Sequence, residues 1–199
     1  MWTSPPFTPT EYIEPGGAPA GGPAIRARGI ADDKSNLVVH LGALKAFEGK
    51  PPVAVRIVLE GQEEYGNLRI HPKQDPKEAQ DFLVDHLEAV KAFGVELKIT
   101  REDAGPGFAA VTDGPAYQAA KTALREARGN ETVLAASGGS IPLVNGLSQA
   151  VPNAEILLFG AEDAACQLHG PNERVLVSEL RNAVIAEAGF FREYAASFQ

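Results

Sequence analysis

Apolar positions at helical spacing alternate along this chain with short, nearly continuous apolar runs. Leu37, Leu41, Leu44 and Phe47 recur behind the polar run Asp32–Asn36 and predict a helix over 35–47. Residues 53–59 are rich in β-branched residues and nearly continuously apolar, which predicts a buried strand, and a second short strand is expected over 68–70. Asp75 then caps a helix with Pro76 at its first position, Glu78 three residues on, and Ala79, Phe82, Leu83, Leu87 and Val90 on one face, ending at Gly94. Residues 95–100 alternate and complete a strand-helix-strand unit. Tyr117, Ala120, Leu124 and Ala127 mark a helix that stops at Gly129, residues 132–136 and 155–159 read as buried strands, and 175–194 as a long closing helix. Residues 5–23, rich in Pro and Gly, are expected to be irregular. This alternation of strands and helices predicts an α/β sheet sandwich.

Composition narrows the function. The 199 residues are enough for one sizeable core, or one domain plus a small second unit, and 44% hydrophobic with 22% charged residues is the make-up of a globular protein. Eighteen Lys plus Arg against 26 Asp plus Glu leave a net charge of −8, which argues against nucleic acid as a partner. No apolar run approaches the roughly 20 residues of a membrane-spanning helix, so no membrane partner is expected. Residues 1–7 lack the basic and apolar segments of a signal peptide, and a lone Cys166 cannot form an intrachain disulfide, so the expected location is cytoplasmic.

Candidate chemistry concentrates at Asp32-Asp33, Glu63-Glu64 and His169, with a Gly138-Gly139-Ser140-Ile141-Pro142 turn beside them in interest. Carboxylates and an imidazole suit zinc, and a neighbouring carboxylate can take a proton from water. On residue type alone, however, acidic pairs are more often solvated faces, and a lone histidine is more often structural or superficial.

Five strings, in order, change that balance: Trp2-Thr3-Ser4-Pro5-Pro6-Phe7, Ala27 to Lys34 (ARGIADDK), Leu59 to Gly66 (LEGQEEYG), Gly138 to Pro142, and His169-Gly170-Pro171-Asn172-Glu173-Arg174. With them the whole chain resembles the zinc dipeptidases of the carnosinase, aminoacylase and carboxypeptidase G type. The resemblance implies an incomplete three-layer α/β catalytic domain over 1–66 and 114–199, and a partial lid or dimerisation domain, a strand-helix-strand remnant, over 67–113. It further implies that Asp32 is a zinc-bridging carboxylate joined to Asp33 by a cis peptide, Glu63 the general base, and Glu64 and His169 ligands of one ion. Ser140, with Gly139 in its turn, resembles the residue that binds the substrate's carboxylate, and Arg69 a lid arginine gripping the same group. An acidic turn, a loop histidine, a helix cap and an exposed strand arginine are the plainer readings of Glu63-Glu64, His169, Ser140 and Arg69.

The departures from the family pattern matter as much. The family's His-x-Asp pair would precede Trp2, and its second-ion acidic ligand and lid histidine would lie between Glu64 and Arg69, where this chain has only Tyr65-Gly66-Asn67-Leu68. An amino-terminal truncation and an internal lid deletion are therefore expected, with one zinc ion rather than two, held by Asp32, Glu64 and His169. Loss of one oxyanion donor typically costs about 10²–10³ in rate. His40, His71, His86 and Asp163 have no spacing that recommends them as substitute ligands; His86 is expected at the edge of the core. The implied activity is hydrolysis of dipeptides or N-acyl amino acids. The alternative is an inactive remnant that binds a small carboxylate or self-associates, and a homo-oligomer is expected because a shortened sheet exposes edges.

Overall fold

Within residues 5–23, expected to be irregular, the structure instead has β1 (Thr10–Glu14) and the start of β2 (Gly22–Arg26), which pair antiparallel with Thr10 opposite Arg26 and Glu14 opposite Gly22. The inward positions of β1 are Thr10, Tyr12 and Glu14, while Ile13 faces out, so no apolar alternation marks this strand. Pro23 lies outside Ala24–Arg26, the part of β2 paired on both edges, and its missing N–H leaves the doubly paired centre intact. The third strand, β3 (Arg174–Leu176), pairs antiparallel with β2 and completes a sheet of order β1-β2-β3. These two residues of the predicted closing helix, Val175 and Leu176, are thus strand.

The computed structural model describes residues 1–17, 20–57, 70–89, 98–101, 104–135 and 142–198. It divides into two compact units, one of Met1–Ile57, Asp113–Val133 and Leu157–Gln199, the other of Val58–Thr112 and Leu134–Ile156. The first holds the sheet and three helices: α1 (Ser35–Ala46), α3 (Pro115–Arg128) and α5 (Val177–Ala196); α2 (Pro76–Ala89) and α4 (Pro142–Ala150) belong to the second.

In the first unit α5 packs against both α1 and α3. The close approaches are made by glycines: a Cβ on Gly42 of α1 would lie 2.7 Å from Val184 of α5, and one on Gly189 of α5 would lie 3.2 Å from Ala123 of α3. Val39, Ala161, Val175 and Ala183 form the core, flanked by Ile25, Ile30, Leu180 and Val184. The buried stripe of α1 is Ser35-Val39-Ala43, not the Leu37-Leu41 row, which is exposed. This helix is apolar nearly all round, so spacing alone did not select its inner face. Gly129, in the left-handed region at φ 74°, ends α3 by donating its N–H to the Arg125 carbonyl, as expected of a terminal glycine.

In the second unit the Asp75 carboxylate accepts the Glu78 N–H at 2.8 Å, the cap expected for α2. Ala79 and Val84 are its buried positions, whereas Phe82, Leu83 and His86 are exposed, which corrects the expected inner face and the core-edge placement of His86. Helix α4, which begins at Pro142, was not among the helices expected from spacing, although a helix cap was the plainer reading of Ser140.

The runs read as strands are not strands where described: 53–57, 70, 98–100, 132–135 and 155–159 are irregular, and Val133 and Leu158, of two runs read as buried, are 85% and 61% exposed. An apolar run becomes a strand only when a neighbouring strand takes up its backbone N–H and C=O groups, and the strand pairs among the described residues are those of β1 with β2 and β2 with β3. Residues 58–59, 68–69, 95–97 and 136 of those runs, and Val90 and Gly94 of the α2 reading, lie outside the described residues.

Candidate metal centre

The backbone leading into α1 makes one helix-like turn over Ile30–Lys34 that breaks at Asp32 (φ −116°, ψ 95°) and Asp33 (φ −137°, ψ 17°). Gly29 opens it at φ 69°, a conformation that favours glycine, and its carbonyl accepts the Lys34 N–H at 3.0 Å. The Asp32-Asp33 peptide is cis. Ser35 holds the far side, its hydroxyl donating to the Ala31 carbonyl at 2.9 Å, so the two aspartates are presented at the surface while Ala31 is fully buried beneath them.

A second loop faces this turn. Gln167, His169 and Asn172 adopt positive φ values of 55°, 60° and 67°, each a left-handed conformation costing a non-glycine residue roughly 1 kcal/mol or more. The loop is closed by the Gly170 N–H on the Gln167 carbonyl and the Arg174 N–H on the Cys166 carbonyl, both at 3.0 Å. Its product is a hydrogen bond between His169 Nε2 and Asp32 Oδ2, made by side chains 61% and 42% exposed. The pair is open to solvent and combines a nitrogen and an oxygen donor, a set that suits zinc. Among the described residues no third His, Cys, Asp or Glu joins them in a metal-sized group. Asp33 is exposed next to Asp32. The remaining residues that the resemblance implied, Glu63, Glu64, Arg69, Gly139 and Ser140, lie outside the described residues.

Three residues beneath the pair escaped the sequence reading. Glu173 is completely buried, and its carboxylate accepts N–H bonds from Gly29 (3.0 Å), Ala31 (2.9 Å) and Asp32 (3.0 Å), with the Arg28 guanidinium 3.6 Å away. Asn172 receives both the N–H and the hydroxyl of Thr3, at 2.8 and 3.0 Å. Arg174, also buried, pairs with Asp163 and, at 3.3 Å, with Glu14 of β1. Arg26 adds a bond to the Thr3 hydroxyl at 2.7 Å, and the Arg28 N–H one to the Pro6 carbonyl at 2.7 Å. Three of the five strings, those at 2–7, 27–34 and 169–174, are therefore one interlocked patch. The only signal for these residues was their position inside those strings, since buried Glu and Arg read by type as surface residues.

Comparison with known proteins bears directly on this patch. Residues 1–193 match the peptidase family M20/M25/M40. The chain belongs to this family. A cysteinylglycine-S-conjugate dipeptidase from Corynebacterium striatum is 32% identical over 142 residues, which cover 71% of this chain and 31% of that protein. An M20 family metallo-carboxypeptidase from Sulfolobus solfataricus has a similar fold, with a TM-score of 0.50 at 21% identity over 63% of this chain and 28% of that one. This M20/M25/M40 chain thus spans about a third of the length of the relatives it matches, and its fold is that of an incomplete α/β domain. No described helix of the M20/M25/M40 chain is long and apolar enough to cross a membrane.

Proposed function

We propose that this chain is a zinc-dependent hydrolase of the dipeptidase type, directed at amide bonds of dipeptides or N-acyl amino acids. The observation that carries the reading is the Asp32–His169 pair, a carboxylate and an imidazole brought together from positions 137 residues apart. Asp32 and His169 would hold one zinc ion together with Glu64. Bound zinc supplies Lewis acidity to such a site. Glu63 would take the proton of the attacking water, and Ser140, the Gly139 N–H and Arg69 would fix the substrate's carboxylate so that the scissile carbonyl is presented in one orientation. The dipeptidase name of the Corynebacterium relative supports this substrate class. The domain division that goes with it is a catalytic part over 1–66 and 114–199 and a partial lid over 67–113.

Calorimetric titration of metal-free protein with zinc tests the reading, comparing wild type with Glu64→Ala and His169→Ala. One tight site, lost in both variants, is expected; dipeptide hydrolysis abolished by Glu63→Gln with zinc binding retained completes it. Absence of specific zinc binding in the wild type overturns it. The second reading, an inactive carboxylate-binding or self-associating remnant, draws support from the exposed apolar side chains of Val133 and Leu158. We place the protein in the cytoplasm as a homo-oligomer under either reading; a monomer in light scattering at micromolar concentration overturns the oligomer.

A further inference from the structure

We propose that Glu173 is the positioning residue of the metal centre: its buried carboxylate fixes the Asp32 loop against the His169 loop and so sets the carboxylate-imidazole pair. The inference rests on the reading that Asp32 and His169 hold a metal, and extends it to a residue that touches no metal itself.

A carboxylate with no solvent exposure is costly to bury, and is stable only where donors replace its hydration. Here the donors are the N–H groups of Gly29, Ala31 and Asp32, with the Arg28 side chain beside them. Three amides converging on one anion lock the backbone that carries them, because each would otherwise lose an acceptor on the inner side of the turn. The Asp32 amide is one of the three, so the bond to Glu173 fixes the backbone that directs the Asp32 side chain. At its other end Glu173 is anchored in the chain that bears the imidazole: it sits four residues after His169, its own carbonyl accepts the Ala27 N–H at 3.2 Å, and Arg174 behind it is held by Asp163 and Glu14. One side chain therefore ties together the two loops that supply the pair.

Glu173→Gln tests this, since the amide keeps one acceptor oxygen and turns an N–H₂ toward donors. Zinc titration of metal-free protein, amide hydrogen exchange and thermal melting are read on wild type and variant. The expected result is zinc affinity weakened about 10–100-fold, the scale seen when groups supporting metal ligands are removed, with protection lost at Ala31 and Asp32 while the amides of α3 and α5 keep theirs. A folded variant with wild-type zinc affinity overturns the proposal, whatever its melting temperature, because a purely structural role would lower stability without touching the site. Glu173→Asp, which keeps the charge opposite Arg28 but shortens its reach by one methylene, provides the same comparison if the amide variant fails to fold; an affinity loss of threefold or more is expected, and full affinity overturns the proposal. A wild type that binds no zinc is a separate result: it removes the metal reading and this proposal with it, whereas equal binding by wild type and variant removes this proposal alone.

Discussion

His40 of α1 and Glu187 of α5 meet across the helix interface, His40 Nδ1 lying 2.7 Å from Glu187 Oε1. The Glu187 side chain is 9% exposed and that of His40 39%, and the second carboxylate oxygen, Oε2, is buried without a hydrogen-bond partner. Burial pushes the Glu187 carboxyl up from its ordinary value, and the hydrogen bond and charge of His40 pull it back only in part.

A group whose pKa is raised on folding binds its proton more tightly in the folded chain, so its stabilising contribution is complete below the ordinary glutamate value and fades as pH rises through the raised one. Wild type is therefore expected to lose melting temperature as pH climbs from the ordinary glutamate value toward neutrality, and Glu187→Gln to lose less. About 1 kcal/mol corresponds to roughly 2–4 °C in a chain of this size. Melting curves of both proteins at pH 4 and pH 7.5 check it: the variant's advantage must be larger at pH 7.5.

Gly42→Ala places a methyl group 2.7 and 2.9 Å from the two Cγ atoms of Val184. Overpacking of this kind costs about 1–3 kcal/mol, against a gain of about 1 kcal/mol in helix propensity from replacing glycine. The variant is expected to unfold at lower denaturant than wild type. Adding Val184→Ala, which removes both Cγ atoms, should cost less in the Gly42→Ala background than in wild type, a coupling that a double-mutant cycle in urea measures.

Arg174→Met removes the cation from between Asp163 and Glu14 while filling similar space. Leaving two carboxylates facing a neutral, buried side chain is expected to cost about 3–5 kcal/mol. The urea midpoint reports it, and the combined change of Arg174, Asp163 and Glu14 to apolar residues should recover part of the loss.

Asp75→Ala removes the acceptor for the Glu78 N–H. The expected cost is about 0.5–2 kcal/mol, confined to α2. Hydrogen exchange at Glu78 should accelerate while the amides of α5 stay as they are.

The same Asp75 shows what was legible in the sequence. Apolar spacing, a cap, a proline at the first helical position and a terminal glycine are local signals, and α1, α2 and α3 stand close to where one or another of them put each helix. What failed depended on partners. The hairpin of β1 and β2 was hidden because Glu14, an inward residue, is paid for by Arg174 some 160 residues away (174 − 14), which no local window contains. The apolar runs around Val55, Val133 and Leu158 were legible as apolar, but an apolar run does not say whether a neighbouring strand exists. At the site, Asp32 and His169 could be read because their chemistry is superficial and their strings distinctive. Glu173 could not, since its side chain acts from inside and its type argues for solvent.

The bonds from Glu173 to Gly29, Ala31 and Asp32 span 144, 142 and 141 residues. Such contacts come late for a nascent chain, because residue 173 must be synthesised before anything can close them. Until then the Asp32 loop has backbone donors turned toward an anion that has not been synthesised, and no imaginable order of helix formation supplies it earlier. Loop-closure entropy grows only slowly with length, so the delay is one of timing more than of energy. Any ion that binds to the finished pair therefore rewards only a chain that already includes residue 173, and a product lacking it would be invisible to the ion.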